Sequence, residues 1–187
     1  MKSVVNCYIL LSIFTIFAGI GYAQNALVED NKALLARFQS GLNGYVKDRN
    51  RVEKGLPNLP TKASPEQIEA HQTALLKKMQ AERAGVKRGS IFTPEASVLI
   101  KKIVADEFKD PKMLKVKASA LDAASGVPLV VNAEYPETKE VLEMPPSLLL
   151  ALPQLPKELR FRFAGRALLL MDRSNRMIID YLPNALP

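Results

Sequence analysis

The residues whose types and spacing could do chemistry crowd into the last part of the chain. Between Leu159 and Leu182, LRFRFAGRALLLMDRSNRMIIDYL, stand Arg160, Arg162, Arg166, Arg173 and Arg176 with two carboxylates, Asp172 and Asp180. Arg160 and Arg162 alternate with Leu159, Phe161 and Phe163, so a strand here would carry both cations on its wet face. The arginine fork is planar, permanently charged and suited to carboxylates and phosphates. The five arginines, with Lys157 beside them, are therefore a candidate surface for an anionic partner. The competing use is an ordinary solvated face. Asp172 and Asp180 flank the last turn, and two neighbouring carboxylates are the minimum for glycosidase-type acid/base work. Arginines near them in sequence would keep both charged, the opposite of what a general acid needs. Pairing across the hairpin with Arg166, Arg173 or Arg176 is the expectation.

Other chemistries find less. His71 is the only histidine, and it borders the apolar stripe of a helix, where a structural or solvent-facing role is the ordinary one. No serine sits in a Gly-x-Ser-x-Gly setting. Transition metals need several nitrogen or sulfur ligands at suitable spacing, calcium an Asp-rich loop, and phosphate a glycine-rich cradle. None of these patterns is present, so neither a metal nor another cofactor is expected. Sequence-tolerant nucleic-acid binding would want exposed aromatics among the cations. Tryptophan is absent, and Phe161 and Phe163 fall on the face opposite Arg160 and Arg162.

The N-terminus carries an address. Lys2 precedes an apolar run, Tyr8–Ile20, and Gly21-Tyr22-Ala23 supplies small residues at the two positions a signal peptidase reads. A secretory signal peptide over residues 1–23 is expected, with cleavage near Ala23-Gln24 and export to the periplasm or beyond. The run is shorter than a membrane span, so no span remains after cleavage. The lone cysteine, Cys7, would leave with the signal, and Lys2 would lower the formal net charge from +7 by one. The mature chain would then have no disulfide and no thiol chemistry. Its basic balance fits anionic envelope surfaces.

The elements that must position the arginines read as follows. Leu27, Leu34, Phe38, Leu42 and Tyr45 form one stripe, predicting a helix over Asn25–Asp48 that Gly41 and Gly44 weaken. Gly55, Pro57 and Pro60 break Arg51–Ala63, with Leu56 and Leu59 expected inward. Ser64-Pro65-Glu66-Gln67 is a capping box opening a helix to about Ala84, with Ile68, Leu75, Leu76 and Met79 inward and Gly85 closing it. Thr93-Pro94-Glu95 opens another to about Lys109, burying Val98, Leu99, Ile103 and Phe108. Lys112–Ala124 reads as a weaker helix on Leu114, Ala118 and Leu121, or as a strand. Pro128–Ala133 reads as a strand bounded by Gly126 and Pro136. Pro146–Leu152 reads as a short helix, its leucine run too apolar to leave in water. Leu159–Phe163, Ala167–Met171 and Met177–Leu182 read as three strands joined at Ala164-Gly165 and Asp172-Arg173-Ser174-Asn175.

The tail FAGRALLLMDRSNRMIIDYLPNALP resembles the C-terminus of a family of uncharacterised bacterial exported proteins. The resemblance reaches upstream through Gly89-Ser90-Ile91-Phe92-Thr93-Pro94-Glu95, Val131-Asn132-Ala133 with Tyr135-Pro136, and Pro145–Leu155. It implies a bacterial exported protein and transfers no catalytic residue. A looser similarity joins the last strand, Asp-containing turn and strand to the C-terminal hairpin of periplasmic nickel/cobalt-homeostasis proteins. One histidine and a cysteine-free mature chain argue against carrying a metal role across.

The resulting expectation is an α+β chain: residues 1–23 a signal peptide and 24–187 one domain. Within it, 24–110 is helical, 111–158 a mixed proline- and leucine-rich connection, and 159–187 a β-meander. Three to four helices pack on a small, mostly antiparallel sheet. The functional expectation is a non-enzymatic envelope protein binding a protein or an anionic envelope component. The alternatives are a hydrolase using Asp172 and Asp180, and a structural subunit docking through Pro146–Leu155.

Overall fold

The computed structural model describes the backbone of residues 11–123, 127–139 and 144–187, with side chains from Asp30 onward within those ranges except at 122 and 123. The beginning of the expected signal segment, Cys7 and the boundary residues Ala124 and Gly126 lie outside the described residues, as does the side chain of Leu27. Among the described residues five helices precede a three-stranded sheet: α1 (Leu11–Lys54), α2 (Pro65–Glu82), α3 (Pro94–Glu107), α4 (Met113–Ala123), α5 (Pro146–Ala151), β1 (Leu159–Ala164), β2 (Ala167–Asp172) and β3 (Ile178–Leu182). This is the α+β class. The chain divides into two compact units, Met1–Ala36 and Arg37–Pro187. All that follows concerns the second. Among the described residues no helix is long and apolar enough to cross a membrane.

Local chemistry explains the helix starts. The Gln67 amide donates to Ser64 Oγ, and the Ser64 amide donates back to the Gln67 side chain, a reciprocal capping box with Pro65 just inside it. Thr93 caps α3 by accepting from the Ala96 amide. Gly85 follows α2 at φ +90, a conformation that costs a glycine little. Gly41 and Gly44 do not end α1, which continues to Lys54 rather than Asp48.

The sheet is an antiparallel meander in the order β1-β2-β3, turned between its first two strands at Gly165, φ +57. Its register pairs Phe161 with Leu170 and Phe163 with Leu168. Leu170 pairs with Asp180, and a bulge lies between Leu170 and Met171. Alternation then puts Leu159, Phe161, Phe163, Leu168, Leu170, Asp172 and Asp180 on one face, toward the helices. Phe38 of α1, Phe92 and Phe161 stack in sequence at 5.8 and 6.4 Å between ring centres, and Phe108 meets Phe163 edge-on at 6.0 Å. On the other face Ala164, Ala167, Leu169, Met171 and Ile178 pack with Tyr135, and Val127, Leu129 and Tyr181 close over them. Every residue of β2 is buried, as a central strand covered on both faces should be.

Several expected orientations are corrected. α3 buries Ala96, Ile100 and Val104, while Val98 is 72% exposed and Leu99 and Ile103 are half-buried. In α4 the buried residues are Met113 and Ala120, and Leu114 and Leu121 face out. Both helices use an alanine at the buried stripe, where a small side chain lets backbones approach, and hydropathy alone undervalues such positions. Leu59 and Ile68 are also exposed, whereas Leu56, Leu75, Leu76 and Met79 are buried as expected. Pro128–Ala133 is not a regular strand. Just after it Glu134 bridges Met177, the residue before β3, and Asn132 N donates to Ile178 O at 2.8 Å. Asn132 sits at φ +67, which turns the chain out of any ladder. In α5, Leu148 is buried but Leu149 and Leu150 are 47% and 88% exposed.

The facing of α3 yields a test by urea unfolding. Ile100→Ala should cost about 2–5 kcal/mol, and Val98→Ala no more than about 0.5 kcal/mol.

Candidate functional site

Asp172 and Asp180 come together on the helix-facing side of the sheet, but neither pairs across the hairpin. Both are 0% exposed. Asp172 Oδ2 accepts from Tyr45 Oη and Arg49 Nε of α1, each at 2.8 Å, and Oδ1 accepts from the Ser174 amide and hydroxyl. Arg49 completes its fork on Glu53 at 2.7 Å and Ser174 at 3.0 Å. Burial alone would lower the Arg49 pKa, but the Asp172 and Glu53 carboxylates outweigh it and hold the guanidinium charged. Burial, followed by the Asp172 charge, pushes the Tyr45 hydroxyl far above the ordinary tyrosine value. Asp180 receives backbone amides instead: Gly89 at 2.9 Å, Ile91 at 2.8 Å and Phe92 at 2.9 Å. Gly89, at φ +88, makes the turn that aims them. The expected pairing with Arg166, Arg173 or Arg176 is thus replaced by contacts from α1 and from the loop before α3. The reason is directional. The aspartates face the helices, and those three arginines are taken up by main-chain carbonyls.

Arg173 Nε donates to Leu159 O at 2.9 Å. Arg166 reaches Leu186 O at 3.0 Å and so ties the β1–β2 turn to the C-terminus. Arg176, at φ +57, donates to Tyr135 O and Pro136 O. It lines a hollow of about 640 Å³ whose wall includes Glu69, Glu134 and Glu137. The five arginines do not form one patch.

Three of them do converge. Arg160, Arg162 and Arg173, with Lys157, line a cleft of about 300 Å³ along the outer edge of β1. The rest of its wall comes from Leu149 of α5, the Pro153–Pro156 stretch, and Leu159 and Phe161. Among the described residues no carboxylate lines it. Arg162 Nη1 donates to Phe161 O at 2.9 Å. Arg160 Nε is buried without a hydrogen-bond partner among the described residues. Burial, then the charges of Arg162, Arg176 and Arg173, lower the Arg160 pKa, so cation crowding surrounds a donor that lacks an acceptor. The wall supplied by α5 and the prolines was not paired with the arginines in the sequence reading, because no periodicity links a helix turn to a strand edge.

Sequence reasoning also missed Arg49. It extends the Phe38, Leu42, Tyr45 stripe by four residues, and a cation continuing an apolar stripe is the signal for a buried ion pair. Arg83 was missed too: it donates to Asn132 Oδ1 at 2.8 Å and Ile179 O at 2.9 Å and lies 5.1 Å from the centre of the Tyr45 ring. His71 is half-buried on α2 and belongs to neither hollow. Among the described residues no group of three or more His, Cys, Asp or Glu is placed to hold a metal ion. No family model, curated protein or solved structure matches the chain.

Two predictions follow from the buried network. Asp172→Asn removes the buried counter-charge of Arg49, leaving it Glu53 alone, and should cost up to about 3–5 kcal/mol by denaturant unfolding, with partial recovery when Arg49→Met is added. Tyr45 stays protonated in the fold while an unfolded tyrosine ionises near 10.0, so its contribution is complete below that pH and erodes above it. The stability gap between wild type and Tyr45→Phe should therefore narrow as pH is raised beyond 10.0.

Proposed function

We propose that this is an exported, non-enzymatic envelope protein that binds an anionic component in the cleft formed by Lys157, Arg160, Arg162 and Arg173. The observation that carries the reading is the buried Arg160 Nε, which has no hydrogen-bond partner among the described residues, in a cleft whose described lining brings Lys157, Arg160, Arg162 and Arg173 together. A guanidinium in that setting is short of an acceptor, and a phosphate or carboxylate oxygen supplies one with charge assistance. The N-terminal signal pattern and the resemblance of the tail to exported proteins support the location. A hydrolase would need Asp172 or Asp180 at a substrate, and both are sealed under helices with their oxygens already engaged. That favours binding over acid/base catalysis.

Backbone NMR titration of the purified protein with methyl phosphate tests the cleft. Shifts should centre on Arg160, Arg162 and Arg173, weaken with added salt, and vanish in the Arg160→Glu/Arg162→Glu double variant. Unchanged binding in that variant would sink the proposal. Export predicts that the protein recovered from its own cell envelope begins at Gln24, read by intact mass; a chain retaining Met1 would refute cleavage.

A further inference from the structure

Resting on the anionic-ligand reading of the same cleft, we infer that its occupant is a single-chain amphiphile: a phosphate or carboxylate head among the guanidinium groups and an alkyl chain along α5. The lining combines the cations Arg160, Arg162 and Arg173 with the apolar side chains Leu149, Pro153 and Leu155. A site for a bare polyanion has no use for an aliphatic wall, and a site for a neutral hydrocarbon has none for clustered cations. A volume of about 300 Å³ is at the small end for ligand sites, which suits one chain and one head group rather than a folded partner.

The leucines of α5 point the same way. α5 uses Leu148 for the protein's own core and leaves Leu149 at 47% and Leu150 at 88% exposure. A helix this short could have buried its leucines or done without them. Leu149 is part of the cleft wall, and Leu150, the next residue, is still more exposed. Head group and tail thus find cations and apolar side chains in one cleft, and the buried Arg160 Nε fixes the end at which the charge must sit.

The test compares three probes on the full chain by NMR titration or calorimetry: decyl phosphate below its micelle-forming concentration, inorganic phosphate, and decanol. Decyl phosphate should bind at least about tenfold more tightly than inorganic phosphate, and decanol should bind weakest. Leu149→Asn, at a half-exposed position, should remove most of that advantage. Arg160→Glu/Arg162→Glu should weaken decyl phosphate by about tenfold or more. Equal affinity for decyl and inorganic phosphate would overturn the amphiphile while leaving the anion site standing. Binding of neither would overturn both. Decyl phosphate binding undiminished in the arginine double variant would locate it elsewhere on the chain and overturn the inference.

Discussion

The buried carboxylate of Asp172 ties the last part of the chain to the first. It stands at the end of β2, closed to water, and takes its hydrogen bonds from Tyr45 and Arg49, more than a hundred residues earlier in the chain. A buried ion pair contributes little net stability, because removing both charges from water offsets most of their attraction. Breaking it is another matter, since Asp172 alone would be an uncompensated buried carboxylate and Arg49 would keep only Glu53. The pair therefore selects one arrangement of α1 on the sheet. Asp180 acts likewise on the loop before α3, using three amides in place of a cation. With both aspartates on the helix-facing side, the two-residue period of the strands sends Arg160 and Arg162 to the other side.

That other side is only partly covered. The segment from Val127 to Tyr135 lies over β2 and β3, turned at Asn132, which Arg83 and Gln80 hold from the end of α2. β1 is left as the edge strand, and the proline- and leucine-rich connection runs beside it to form the cleft. Several other arginines of this protein donate to main-chain carbonyls. Arg83, Arg166, Arg173 and Arg176 all do so. Arg160 Nε is the exception, and this separates it from arginines with a purely architectural role.

Much of the fold was legible because its signals are local. The caps at Ser64 and Thr93, the glycine at 165 and the alternation of Arg160 and Arg162 with phenylalanines each depend on neighbours a few residues away. The misread positions share a different cause. Val98, Leu114 and Leu121 are apolar, yet their helices turn alanines inward, and the choice of face is made by what the helix packs against. Pro128–Ala133 has strand composition but loses its ladder to the positive φ of Asn132, which is held by side chains of α2.

The sequence by itself determined the α+β class, the capped helices opening at Pro65 and Pro94, the three-strand meander and the side of β1 that carries its arginines, because period and capping are properties of short stretches. Only the tertiary structure decided which groups those residues meet. It gave Asp172 to Arg49 and Asp180 to the amides of Gly89, Ile91 and Phe92. It divided the five arginines among carbonyls, a mixed-charge hollow and one cleft, and brought Leu149 of α5 into the same cleft as Arg160. Hydrogen-bonding and charge partners are chosen by direction and burial in three dimensions, and neither is encoded in the spacing of residues along the chain.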